Sequence, residues 1–78
     1  MNHWNHRVLV HQTDNELFYI IHEVHYDEIG IPHSYTENGV PACGESIEEI
    51  TWVLNMFREA LKKPVLWSGE KFPLEYKG

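Results

Sequence analysis

A single cysteine, Cys43, leaves no partner for an intramolecular disulfide and fits a reducing compartment. Cations are also scarce: six Lys and Arg stand against twelve Asp and Glu, for a net charge of −6. So few Lys and Arg can neutralise little phosphate, which argues against nucleic acid as a partner. The imbalance is uneven, because Arg7 is the lone cation of residues 1–49, whereas Arg58, Lys62, Lys63, Lys71 and Lys77 follow. An acidic chain of this kind fits a basic protein partner. No apolar run approaches the roughly 20 residues that span a bilayer. Met1-Asn2-His3-Trp4-Asn5-His6-Arg7 has no apolar signal core, so the expected setting is cytoplasmic, with no membrane partner. There is no glycine-rich phosphate loop and no Cys/His pair at a structural-zinc spacing, so no cofactor, metal ligand or catalytic residue is assigned.

What is present reads first as a helix from Ser46 to Lys63. Ser46 at the N-cap accepts from the Glu49 amide, and the Glu49 carboxylate reaches back to the Ser46 amide, forming a capping box. Glu45, Glu48 and Glu49 complement the positive end of the helix dipole, and Arg58, Lys62 and Lys63 the negative end. Pro64 closes the helix at about residue 62 or 63. Ile47, Ile50, Leu54, Phe57 and Leu61 recur at spacings of three and four, with Val53 and Ala60 widening the stripe, and this face is expected in a core. Trp52 and Met56 fall on the other side. Two readings stand for them: a surface aromatic packed on neighbouring stems or under the C-terminal tail, or a contact patch for a partner.

Ahead of the helix the pattern is that of strands. Arg7 to Gln12 is a β-branched run, Thr13-Asp14-Asn15-Glu16 a tight turn, and Leu17 to Asp27 a long second strand. Its even positions, Phe18, Ile20, His22, Val24 and Tyr26, are expected to meet the helix, while the odd positions Tyr19 and Ile21 belong to an open face. Asp27-Glu28-Ile29-Gly30 reads as a turn with Gly30 at positive φ, and Ile31 to Asn38 as a third strand. The expected fold is α+β: a three-stranded antiparallel meander followed by one helix on one sheet face, β-β-β-α, with a short C-terminal tail. Val65-Leu66-Trp67 is apolar enough to pack or pair as a short strand. One domain spans residues 1–78, with a core of about 7–66 and less order in 1–5 and 68–78. A chain this short buries only about 60–65% of its unfolded surface, so dimerisation would supplement its stability.

All six histidines precede residue 34. His22-Glu23-Val24-His25 lacks the i, i+4 helical spacing of a zinc protease site, and on a strand its two rings point to opposite faces. His22 is read as a hydrogen-bonded core or boundary residue and His25 as solvent-side. A metal site would need distant groups, such as His25 with His11 or His33 joined by Cys43 or a carboxylate. Protonating all six histidines would cancel the net charge of −6, so association is expected to rise near about pH 5–5.5. Cys43 reads as a small loop residue.

The segments Tyr19 to Tyr26, Tyr35 to Asn38, Pro41 to Glu49 and Glu59 to Leu66 resemble a small family of uncharacterised bacterial β-β-β-α proteins, built on a hairpin and a Gly-Glu-Ser-x-Glu-Glu helix start. The likeness covers roughly residues 7–66 and implies a compact domain, with no activity attached. The strand order and helix start are more distantly similar to HicB-like antitoxin domains, from which this chain departs in having no appended DNA-binding segment. Two functional readings follow. One is a non-catalytic protein interaction module, homodimeric or bound to a basic protein, using Trp52, Met56, Tyr19, Ile21 and Trp67. The other is a small histidine- or metal-dependent enzyme or metal-binding protein.

Overall fold

A computed structural model describes residues 3–78. It has the order β1 (His3–Thr13), β2 (Glu16–Tyr26), β3 (Pro32–Tyr35), α1 (Ile47–Ala60), β4 (Leu66–Trp67) and a 3₁₀ turn at Gly69–Lys71. The fold is α+β, with one helix and a mixed sheet in the order β3-β2-β1-β4. The antiparallel meander is therefore only part of the sheet. Leu66 and Trp67 pair parallel to Leu9 and Val10, on the edge of β1 that the hairpin leaves open. Leu74 to Tyr76 runs back along β4, with Trp67 N–H donating to Leu74 O and Tyr76 N–H to Val65 O, both at 2.8 Å.

The hairpin register is set locally. Asp14 takes a φ of 46°, a left-handed conformation that Asp tolerates, and this closes a two-residue turn with Thr13 opposite Glu16. Counting back from the turn pairs Val8 with Ile21, Arg7 with His22 and His3 with Tyr26, so β1 begins at His3 rather than Arg7. The second turn is built on Asp27, whose Oδ1 accepts from the Ile29 and Ile31 amides at 3.0 and 2.9 Å, with Gly30 at φ 88°. β3 is shorter than the expected Ile31 to Asn38, and its pairing with β2 is interrupted by a bulge between His25 and Tyr26.

The helix cap is half the expected box. Ser46 Oγ accepts from Glu49 N–H at 3.1 Å, but the Glu49 carboxylate accepts from the Glu45 amide at 3.2 Å rather than from that of Ser46. A side chain on Gly44 would meet Glu49 Cβ at 2.8 Å, so this first turn requires the glycine before it. The C-terminus tightens into i→i+3 bonds from Leu61, Lys62 and Lys63, and the α-helix ends at Ala60, short of the expected residue 62 or 63.

The expected packing of the helix is corrected in two respects. First, α1 lies on the odd face of β2, not the even face. His6 and Phe57 rings meet edge-on at 5.0 Å, and His6 faces Glu23 across the hairpin. The even face belongs to the C-terminal segment, where Leu9, Val24 and Leu66 pack with Tyr26, Tyr35 and Phe72. Second, the residues turned toward the sheet are Ile50, Val53, Met56, Phe57 and Ala60. At about 100° per residue this face lies roughly 75° around the helix from the stripe of Ile47, Ile50, Leu54, Phe57 and Leu61. Ile47, Leu54 and Leu61 are left 80%, 50% and 69% exposed.

Candidate functional site

Two features stand out from the packing: a row of polar side chains on the even face, buried at Arg7 and His22, and an aromatic groove beside the helix on the odd face. The register brings Asn5, Arg7 and His11 of β1 to the same face as His22 and Tyr26 of β2. Arg7 is buried, and its two terminal nitrogens donate to Tyr26 Oη and Pro64 O, both at 2.8 Å. Tyr26 Oη in turn donates to Asn5 Oδ1 at 2.8 Å. Among the described residues no carboxylate lies within ion-pair distance of Arg7, and its Nε has no partner.

His22 is fully enclosed, the hydrogen-bonded core histidine expected from the sequence. Its Nδ1 stands 2.9 Å from Thr36 O and its Nε2 2.9 Å from His11 Nε2. The carbonyl only accepts, so Nδ1 carries the proton of neutral His22, and His11 must donate through Nε2. Burial is the main cause holding the His22 pKa below 6.5, with the Thr36 carbonyl opposing it and His11 adding to the depression. His6 is likewise lowered by desolvation, against an opposing pull from Glu23. Arg7 and His11 face His22 from β1, and Thr36 follows β3.

The sign of the pH effect follows. Below pH 6.5 the unfolded chain binds protons at His6 and His22 that the folded chain refuses, so stability is full above that pH and lost as pH falls through it. Urea midpoints measured from pH 7.5 to 5.5 are expected to fall toward acid, with a smaller fall in His22→Gln; a flat profile would exclude this. The charge cancellation expected near pH 5–5.5 also shifts to lower pH, because these two rings protonate late.

His25 stands opposite Trp4 and Ser34, on the face away from His11 and His22, as alternation predicts. His33 lies at the β3 bulge beside Asp27 and Glu28. Among the described residues no three His, Cys, Asp or Glu side chains gather as a metal site would need.

On the odd face, a groove of about 290 Å³ runs between the start of β1 and the helix. Trp4, His6 and Glu23 form its sheet wall, Trp52, Val53, Met56 and Phe57 its helix wall, and Val40, Pro41 and Cys43 its end. The rings are contiguous on one side, with Trp4 on His6 at 5.5 Å and His6 on Phe57 at 5.0 Å, both edge-to-face. Glu23 is the carboxylate in this lining and, among the described residues, makes no ion pair.

The five residues expected at an interaction surface, on the open sheet face or the Trp52 and Met56 side of the helix, fall in separate places. Trp52 and Met56 line the groove. Tyr19 and Trp67 join through Tyr76, at ring distances of 6.1 and 5.1 Å, and Lys71 Nζ sits 4.1 Å over the Trp67 ring. Ile21 is half-buried, its carbonyl accepting from Val40 N–H at 3.0 Å. Trp4 lies in the stretch 1–5 expected to be less ordered; the alternation Trp4, His6, Val8, Val10 on one strand face is the sequence signal that marks it. No helix is long and apolar enough to cross a membrane among the described residues. Comparison of the chain with known protein families, curated proteins and solved structures finds no match.

Proposed function

We propose that this chain is a non-catalytic protein interaction module that works as a homodimer joined through the outer shoulder of α1. The observation that carries the reading is the exposed row of Ile47, Leu54 and Leu61. Residues seven apart lie almost along the helix axis, so the row forms a straight seam of the kind that packs against a second helix at a shallow angle. The chain exposes 5777 Å², whereas a folded monomer of 9.2 kDa exposes about 4,900 Å². The excess of roughly 850 Å² is spread over the whole surface, to which the exposed Ile47, Leu54 and Leu61 contribute.

Charge favours an antiparallel, two-fold arrangement. Leu54 then meets its own copy, Ile47 meets Leu61, and the acidic N-terminal end of each helix lies beside the partner's C-terminal end, where Arg58 borders the seam. Sedimentation equilibrium is expected to show a dimer, and Leu54→Glu with Leu61→Glu to give a folded monomer. A wild-type mass of one chain at all concentrations would sink the proposal, as would a double variant that still dimerises. The enzyme reading has less support, since the two buried members of the polar row, Arg7 and His22, are held by hydrogen bonds to Tyr26, Pro64, Thr36 and His11.

A further inference from the structure

We propose that the groove between Trp4 and Trp52 receives the ammonium group of a lysine side chain presented by a basic partner protein. The inference rests on the reading of the chain as an interaction module, but not on its dimerisation, because the groove opens on the flank of α1 opposite the Ile47, Leu54 and Leu61 seam. Its chemistry is that of a cation site. Aromatic faces carry negative charge density and attract alkylammonium groups, most strongly when a carboxylate shares the same partly desolvated space. Here Trp4, Trp52 and Phe57 supply the rings, and Glu23 supplies a carboxylate with no cation of its own among the described residues. Met56, Val53 and Val40 give apolar walls for the methylene stem of a lysine. A space of about 290 Å³ accommodates such a side chain, and the net charge of −6 favours the approach of a basic chain.

The molecule contains an example of the same contact. Of its three tryptophans, Trp67 is already covered by a lysine ammonium, that of Lys71 at 4.1 Å, while Trp4 and Trp52 face the groove with no cation above them among the described residues. Trp67 is therefore an internal reference for any added ammonium.

The test follows the three indole N–H signals of the full chain by two-dimensional NMR as ligand is added. The probes are n-butylammonium chloride, 1-butanol as its neutral counterpart, and an acetylated, amidated Gly-Lys-Gly peptide. Butylammonium and the peptide are expected to shift Trp4 and Trp52 while leaving Trp67 in place, and 1-butanol to bind about tenfold more weakly. Glu23→Gln and Trp52→Ala, both at partly exposed positions where folding is retained, are each expected to weaken binding by about 3- to 10-fold. Equal shifts from 1-butanol would make the groove merely apolar and overturn the proposal, as would equal movement of Trp67 or unchanged binding by Glu23→Gln. Butylammonium binding without peptide binding would replace the partner's lysine by a free amine. A chain found to be monomeric that still binds the peptide fails only the dimer; a dimer that binds neither cation fails only this site.

Discussion

Leu9→Ala is expected to lower the unfolding free energy by about 2–5 kcal/mol, a large share of the roughly 4–12 kcal/mol available to a chain of this length. Leu9 is fully enclosed in β1, one of the two central strands, with Ile20 on one side in β2 and Leu66 on the other in β4. Truncating it removes apolar contact from both neighbours and leaves a void that the paired strands cannot close. Because β4 is two residues long and held through Leu66, the loss also loosens the C-terminal segment that covers the even face. Urea denaturation followed by tryptophan fluorescence measures the effect. Leu61→Ala, at a 69% exposed position, is the control, expected within about 0.5 kcal/mol of wild type under monomeric conditions. Similar losses for the two variants would show that the core is not where the structure puts it.

Arg7→Lys is expected to destabilise by about 2–4 kcal/mol and to be worse than Arg7→Met. Arg7 spans Tyr26 Oη and Pro64 O with two different nitrogens, tying the hairpin to the connection between α1 and β4. Lysine keeps the buried charge but has one nitrogen, so one acceptor is abandoned while the desolvation cost stays. Methionine fills similar volume without a charge, and Tyr26 Oη keeps its bond to Asn5. Thermal melts of the three proteins at one pH decide the order; a lysine variant as stable as wild type, or more stable than the methionine variant, would refute the account.

The local devices were legible in the sequence because each is specified within a few residues. The Asp14-Asn15 turn, the Gly30 turn and the Ser46 cap all appear where the residues place them. The His11–His22 contact was not legible: the register puts both rings on one face but pairs His11 with Phe18, four residues along β2 from His22. The side of the sheet that the helix takes was not legible. Both faces of β2 read as partly apolar, and the choice is made by residues 64–76, whose Leu66 and Phe72 claim the even face. The helix stripe misled for the same reason: periodicity shows that a face is apolar, not whether the sheet or a second molecule covers it. In the groove, Glu23 and Trp52 lie far apart in sequence, and only the folding of α1 over β1 brings them together.

The strand order also sets a timetable. β1 is synthesised well before β4, and one of its edges stays bare at Leu9 and Val10 until Leu66 and Trp67 arrive. At about 5–20 residues per second, ribosomal synthesis leaves that apolar edge unpaired for roughly 3–11 s. During that interval the growing chain offers other nascent chains a template for strand addition, and the last short strand, when it docks, ends the exposure.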